Sequence, residues 1–298
     1  MRRTSPPQYQ VVATVRLTRP LALQWLVGSV VGFFVFAYWF GVAVATIQGR
    51  SLEPITIAQP STAELSIWFV AALVLVAVVV ASHELIHGFV MSAVGGSPRY
   101  GVGISAFLLP YAYAGTEATN YTRTQLLVAL LAPFVVITAA GLGASIVVSS
   151  SALPLLLAVN AAGSIGDLWM AAVVAQYPAD VRIGPLPDGT DRGFAVYAGS
   201  EDTSRHSVSE WIAPFCTGGL ATLTALVLGA LAVVFSSLAV GSGTVFLGDP
   251  NADWFLLRHE NLPTGGATLE IGAPTIAILS FLGGVGWLVA SRLRRVVD

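Results

Sequence analysis

Six stretches of this chain are apolar for long enough to cross a bilayer, and that limits the fold before any single residue is considered. About 20 helical residues span the roughly 30 Å of hydrocarbon. The stretches are Leu21–Gln48, Ser66–Val94, Gln125–Ser149, Pro154–Tyr177, Pro214–Val240 and Pro274–Leu293. Of the 298 residues 55% are hydrophobic and only 10% charged, against about 25% charged in soluble domains. Mean hydropathy is +0.77. A water-soluble core cannot hide that much apolar surface. The expected fold is an all-α polytopic membrane protein of about six transmembrane helices.

The basic residues orient these spans. All fourteen are arginine, which, with abundant Ala, Val and Gly, points to a GC-rich genome of the halophilic archaeal kind. If odd-numbered spans run outward, Arg2, Arg3, Arg16, Arg19, Arg99, Arg123, Arg182, Arg192, Arg205, Arg292, Arg294 and Arg295 face the cytoplasm. Only Arg50 and Arg258 remain outside. Positive charge concentrates on the cytoplasmic side of membrane proteins, so both termini are expected there, in the cell membrane. Trp25, Trp39, Trp68, Trp211 and Trp287 lie toward span ends, where indole rings favour the interface. Met1–Pro20 shows no cleavable signal. The formal net charge of -2, without a basic stripe, argues against a nucleic-acid partner. The single cysteine, Cys216, rules out an internal disulfide and a cysteine-based zinc site.

The connections are uneven. Ser150–Leu153 is short and predicts an antiparallel hairpin of the third and fourth spans. Gly95–Thr124 is too apolar for an ordinary loop and too rich in Gly and Pro for a helix. Irregular backbone at membrane depth survives only against protein or a wet cavity, so a re-entrant β-like loop after the second span is expected, a surface hairpin being the alternative. Pro178–Glu210 reads as a polar cytoplasmic loop with turns at Pro187-Asp188-Gly189 and Asp191-Arg192-Gly193. Gly241–Ala273 reads as an outer loop carrying Asp249, Asp253, Glu260 and Glu270.

Ionisable side chains inside a span are costly and mark functional sites. Span interiors hold four: His83, Glu84 and His87 in the second, Asp167 in the fourth. The first three form His-Glu-Leu-Ile-His. Residues four apart share a helix face, so His83 and His87 can bind one Zn²⁺ while Glu84 stands beside it. His83 and His87 lie eleven and seven residues before the inner end at Val94, and Asp167 lies ten before Tyr177. At about 1.5 Å per residue all three sit roughly 10–16 Å from the cytoplasmic ends. Two imidazoles and a carboxylate complete the three protein ligands of a catalytic zinc, with Glu84 as general base. Asp167 is the expected third ligand and Glu117 its rival. Water must reach such a site, and Asn160, Gly163 and Ser164 are candidates to line the channel or hold a substrate backbone. His206 and His259 fall in opposite polar loops and are expected to be solvated.

The pattern His83-Glu84-Leu85-Ile86-His87-Gly88, Tyr100-Gly101, Pro110-Tyr111-Ala112-Tyr113, Pro133 and Asn160…Gly163-Ser164…Gly166-Asp167 resembles the "putative zincin peptidase" family. That family is a four-span membrane domain of unknown function related to site-2 proteases. The resemblance covers roughly Leu65 to Tyr197, with Leu21–Gln48 as the first span. It implies His83, His87 and Asp167 as zinc ligands, Glu84 as general base, and a membrane-protein or peptide substrate. Against the later site-2 motif, Gly163 stands for a proline and Leu168 for a glycine, and the Asn160 to Asp167 spacing is one residue shorter. The implied organisation is a cytoplasmic segment over 1–20, a zincin-like membrane domain over 21–210, and two additional helices with an outer loop over 211–298. The implied function is intramembrane metalloproteolysis. A non-catalytic scaffold or metal-binding regulator with the same fold is the alternative; an ion-using transporter is weaker, since no repeated halves are visible.

Overall fold

The computed structural model describes residues 9–297 except 53, 58–60, 105–109, 117–119, 189–192, 201–202, 241–242, 250–253 and 263–265. Glu117, Arg192 and Asp253 therefore lie outside the described residues, as do the middle and part of the end of the connection after the second span. The chain divides into two compact units, Met1–Gln48 with Leu73–His206, and Gly49–Ala72 with Ser207–Asp298.

The first unit opens with strand β1 (Gln10–Arg16) and helix α1 (Arg19–Ile47). Thr18 caps α1 by accepting from the Leu21 amide, and Pro20 sits in its first turn, where its missing N–H costs nothing. The short strand β2 (Ile55–Ile57) falls in the second unit, as does the start of helix α2 (Thr62–Ala93), which continues into the first. Next come the hairpin of β3 (Pro98–Ile104) and β4 (Pro110–Thr116), the two-residue β5 (Tyr121–Thr122), and helix α3 (Arg123–Ala144). A reciprocal capping box starts α3: Gln125 N–H donates to Thr122 Oγ1 and Thr122 N–H to Gln125 Oε1. Helices α4 (Ala152–Gly163) and α5 (Ile165–Val174) follow, then β6 (Arg182–Gly184) and β7 (Gly193–Ala198).

The second unit is built from α6 (Ser209–Val240), β8 (Thr244–Gly248), β9 (Phe255–Asn261), β10 (Ala267–Ile271) and α7 (Ala273–Val297). Helices α6 and α7 pack on each other. At one end Arg292 lies 3.7 Å above the Trp211 ring and Glu210 pairs with Arg295 at 3.3 Å.

Among the described residues five helices are long and apolar enough to cross a membrane: α1, α2, α3, α6 and α7. The expected fourth span is two helices, α4 and α5, bent by 47°. Counted as one broken span, they raise the number to six. The sequence supplies the break. Gly163, Ser164 and Gly166 cluster there, Gly and Ser being common at kinks, and the Ser164 hydroxyl donates back to the Asn160 carbonyl at 2.9 Å.

The all-α expectation is corrected: among the described residues ten strands form three antiparallel sheets, ordered β1-β7-β6-β5, β2-β10-β9-β8 and β3-β4. The segments read as polar loops, Pro178–Glu210 and Gly241–Ala273, contain five of these strands, β6 and β7 in the first and β8, β9 and β10 in the second. Their turn signals stand out in the sequence, whereas their pairing partners are far away: Gln10 opposes Ala198, and Ile57 opposes Ala267. The first sheet buries Val181, Ile183, Val196 and Ala198 with Val174 and Tyr177, against Leu126 and Leu127 of α3. A second cluster, Phe40, Leu157, Ala158 and Ala161, packs with Phe36 and Phe134 and holds α4 between α1 and α3. Trp25 packs edge-on against Trp169 at 5.6 Å between centroids.

Gly193 starts β7 at φ 143°, and a Cβ there would collide with the Val15 carbonyl. Gly193→Ala is therefore expected to cost about 1–3 kcal/mol, the range for a side chain forced into a glycine conformation. Thermal unfolding and hydrogen exchange at the β1 amides, which should lose protection, check this.

Candidate metal centre

The site is assembled from residues of four helices, all within the first unit. α2 contributes His83 and His87, four residues apart on one face, α3 a backbone carbonyl, and the α4–α5 pair Asn160 and Asp167. His83 and His87 are buried, at 7% and 5% exposure. Asp167 stands in the first turn of α5, directly after the bend.

The three side chains meet. His83 Nε2 is 3.1 Å from His87 Nε2 and 3.2 Å from Asp167 Oδ2, and His87 Nε2 is 3.4 Å from the same oxygen. One ligand atom from each residue lies within 4.8 Å of the others. The far side of each imidazole is also held. His83 Nδ1 is 3.0 Å from Asn160 Oδ1, and His87 Nδ1 is 2.8 Å from the Ala129 carbonyl of α3. Such outer partners orient metal-binding histidines and fix their tautomers. Two imidazole nitrogens and a carboxylate oxygen match the donor set of a catalytic zinc with a fourth position left open, so these residues fit the ion.

Glu84 is half-buried and, among the described residues, makes no hydrogen bond or ion pair. Of the residues expected to line a channel, Gly163 is exposed, while Asn160 and Ser164 are buried and engaged. Asn160 spends its side chain on His83 and on the Pro133 carbonyl, 3.4 Å from Nδ2. Ser164 bonds back within its own helix. His206 lies in neither a helix nor a strand, and its backbone N–H bonds to the Gln176 carbonyl at 2.7 Å. His259, expected to be solvated, is fully buried on β9.

Three contributors were given no role at the site from the sequence, although Pro133 and Gly88 belong to the pattern that resembles the family. Ala129 gives only a backbone atom, which no side-chain pattern marks. Pro133 carried a usable signal, a proline inside an apolar helix that must leave one carbonyl unpaired. Gly88, next to His87, lets the β3–β4 hairpin approach α2, since a Cβ there would fall on the Tyr100 phenol.

A chain of several membrane-length apolar helices that gathers His, His and Asp at one point has the outline of a membrane metalloprotein. Residues 76–182 match the sequence model of the family described as "Putative zincin peptidase", the family that the motif resembles. The match contains both histidines, Glu84, Ala129, Pro133, Asn160 and Asp167. No curated protein matches the chain, and no solved structure does.

Proposed function

We propose that the chain is an intramembrane zinc metallopeptidase of the site-2-protease kind, hydrolysing peptide bonds of membrane or membrane-proximal substrates. The convergence of His83 Nε2, His87 Nε2 and Asp167 Oδ2 carries this reading. His83, His87 and Asp167 would hold the ion. Bound zinc supplies a Lewis acid that polarises a scissile carbonyl and lowers the pKa of water. Glu84, beside the three donors and not one of them, accepts a proton from the attacking water. It returns that proton to the departing amine as the C–N bond breaks. The family description supports peptide hydrolysis, and the five apolar helices support a bilayer setting.

Strand pairing supports the grouping of segments by side that the arginines imply. Within the first unit, one sheet joins segments before α1, before α3 and after α5, all assigned by charge to the cytoplasm. Within the second unit, β2 joins β8–β10, all assigned outside.

Protein purified without chelators is expected to carry stoichiometric zinc by elemental analysis, and His83→Ala to lose it. Wild-type protein that takes up no stoichiometric zinc sinks the proposal.

A further inference from the structure

Pro133 sits inside α3 and is fully buried. A proline within a helix has no N–H for the carbonyl four residues earlier, and here that carbonyl belongs to Ala129. In lipid a freed carbonyl must find another donor. The Ala129 oxygen finds His87 Nδ1 at 2.8 Å. A carbonyl can only accept, so the His87 proton resides on Nδ1. One turn further along the same face of α3, a second carbonyl serves His83. The Pro133 carbonyl takes the Asn160 amide at 3.4 Å, which fixes which end of that amide is nitrogen and aims Oδ1 at His83 Nδ1, 3.0 Å away. An amide oxygen also only accepts, so the His83 proton is on Nδ1 too. Both Nε2 lone pairs then face each other at 3.1 Å, beside the Asp167 carboxylate. Lone pairs so placed repel, and a cation between them turns repulsion into coordination.

We propose that Pro133 and Asn160 are positioning residues that lock both motif histidines in the Nδ1–H tautomer, Pro133 by releasing the Ala129 carbonyl to His87 and Asn160 by bonding His83. The proposal rests on the metallopeptidase reading for its purpose, and its primary readout needs neither metal nor activity.

The chain has four histidines, so ¹⁵N-histidine NMR of the whole metal-free protein in micelles can be assigned by single replacements. At about pH 9, above the ordinary imidazole pKa of about 6.5, wild type should show protons on Nδ1 of both His83 and His87. Pro133→Ala restores a helix N–H to the Ala129 carbonyl, competes with His87, and should shift the His87 tautomer with the fold intact. Asn160→Ala should shift His83, whereas Asn160→Asp loses the donor to the Pro133 carbonyl but keeps an accepting oxygen for His83 Nδ1, and should keep the tautomer. Zinc affinity, read by chelator competition, should fall about 10–100-fold in Pro133→Ala and Asn160→Ala, the usual cost of losing an outer partner of a ligating histidine, and recover in Asn160→Asp. Wild-type histidines protonated on Nε2, or variants that leave tautomers and affinity unchanged, overturn the proposal. Wild type with the expected tautomers but no zinc uptake would instead sink the peptidase reading and leave the tautomer lock standing.

Discussion

A Glu84→Gln variant is expected to lose peptide-bond hydrolysis by about 10²–10⁴-fold, the range of a positioned general base, while keeping its zinc. The substitution preserves shape and removes only the capacity to accept a proton. Glu84 follows His83 on α2, so it projects about a quarter-turn away from the face that His83 and His87 share. Among the described residues it makes no hydrogen bond or ion pair, so no structural contact is lost with its charge. Initial rates on a membrane-tethered peptide in proteoliposomes, with zinc content measured on the same samples, check the result. A variant with full zinc and full biological activity would remove the enzyme reading and leave the metal-binding scaffold.

The sequence made the helical part of this fold legible because span length and apolarity are local properties. Both histidines and Glu84 were legible for the same reason, since one helical turn sets their geometry. Asp167, far away in sequence, was tied to the histidines by depth and by the family resemblance: two counts from separate span ends agreed, and the structure brings its carboxylate to 3.2 and 3.4 Å from the two imidazoles. The strands outside the connection after the second span, where a β-like loop or hairpin was expected, escaped because a seven-residue strand such as β1 has no meaning until β7 arrives more than 170 residues later. Asn160 was singled out, yet its polarity suggested a wet channel. Its burial between His83 and Pro133 reflects the rule that polar groups in lipid bond to protein before they bond to water. The bend at Ser164 matters for the same site. It ends α4 just past Asn160 and starts α5 just before Asp167, so one break presents both residues to α2.

Asp167→Asn is expected to lower zinc affinity at least about 100-fold, the upper end of what a mere outer partner costs, with little change in metal-free thermal stability. A first-turn acid also interacts favourably with the positive end of its helix, and Asp167 occupies that position in α5. The two roles separate cleanly. If Asp167 only steadies the start of a broken helix, the neutral isostere lowers the unfolding temperature and leaves zinc untouched. If it is the third donor, the amide can still turn an oxygen toward the imidazoles, so what is lost is the negative charge, and affinity drops while the fold holds. Chelator competition and thermal unfolding on one preparation read both quantities. Unchanged affinity would move the third ligand elsewhere, and the rival carboxylate to replace next is Glu117.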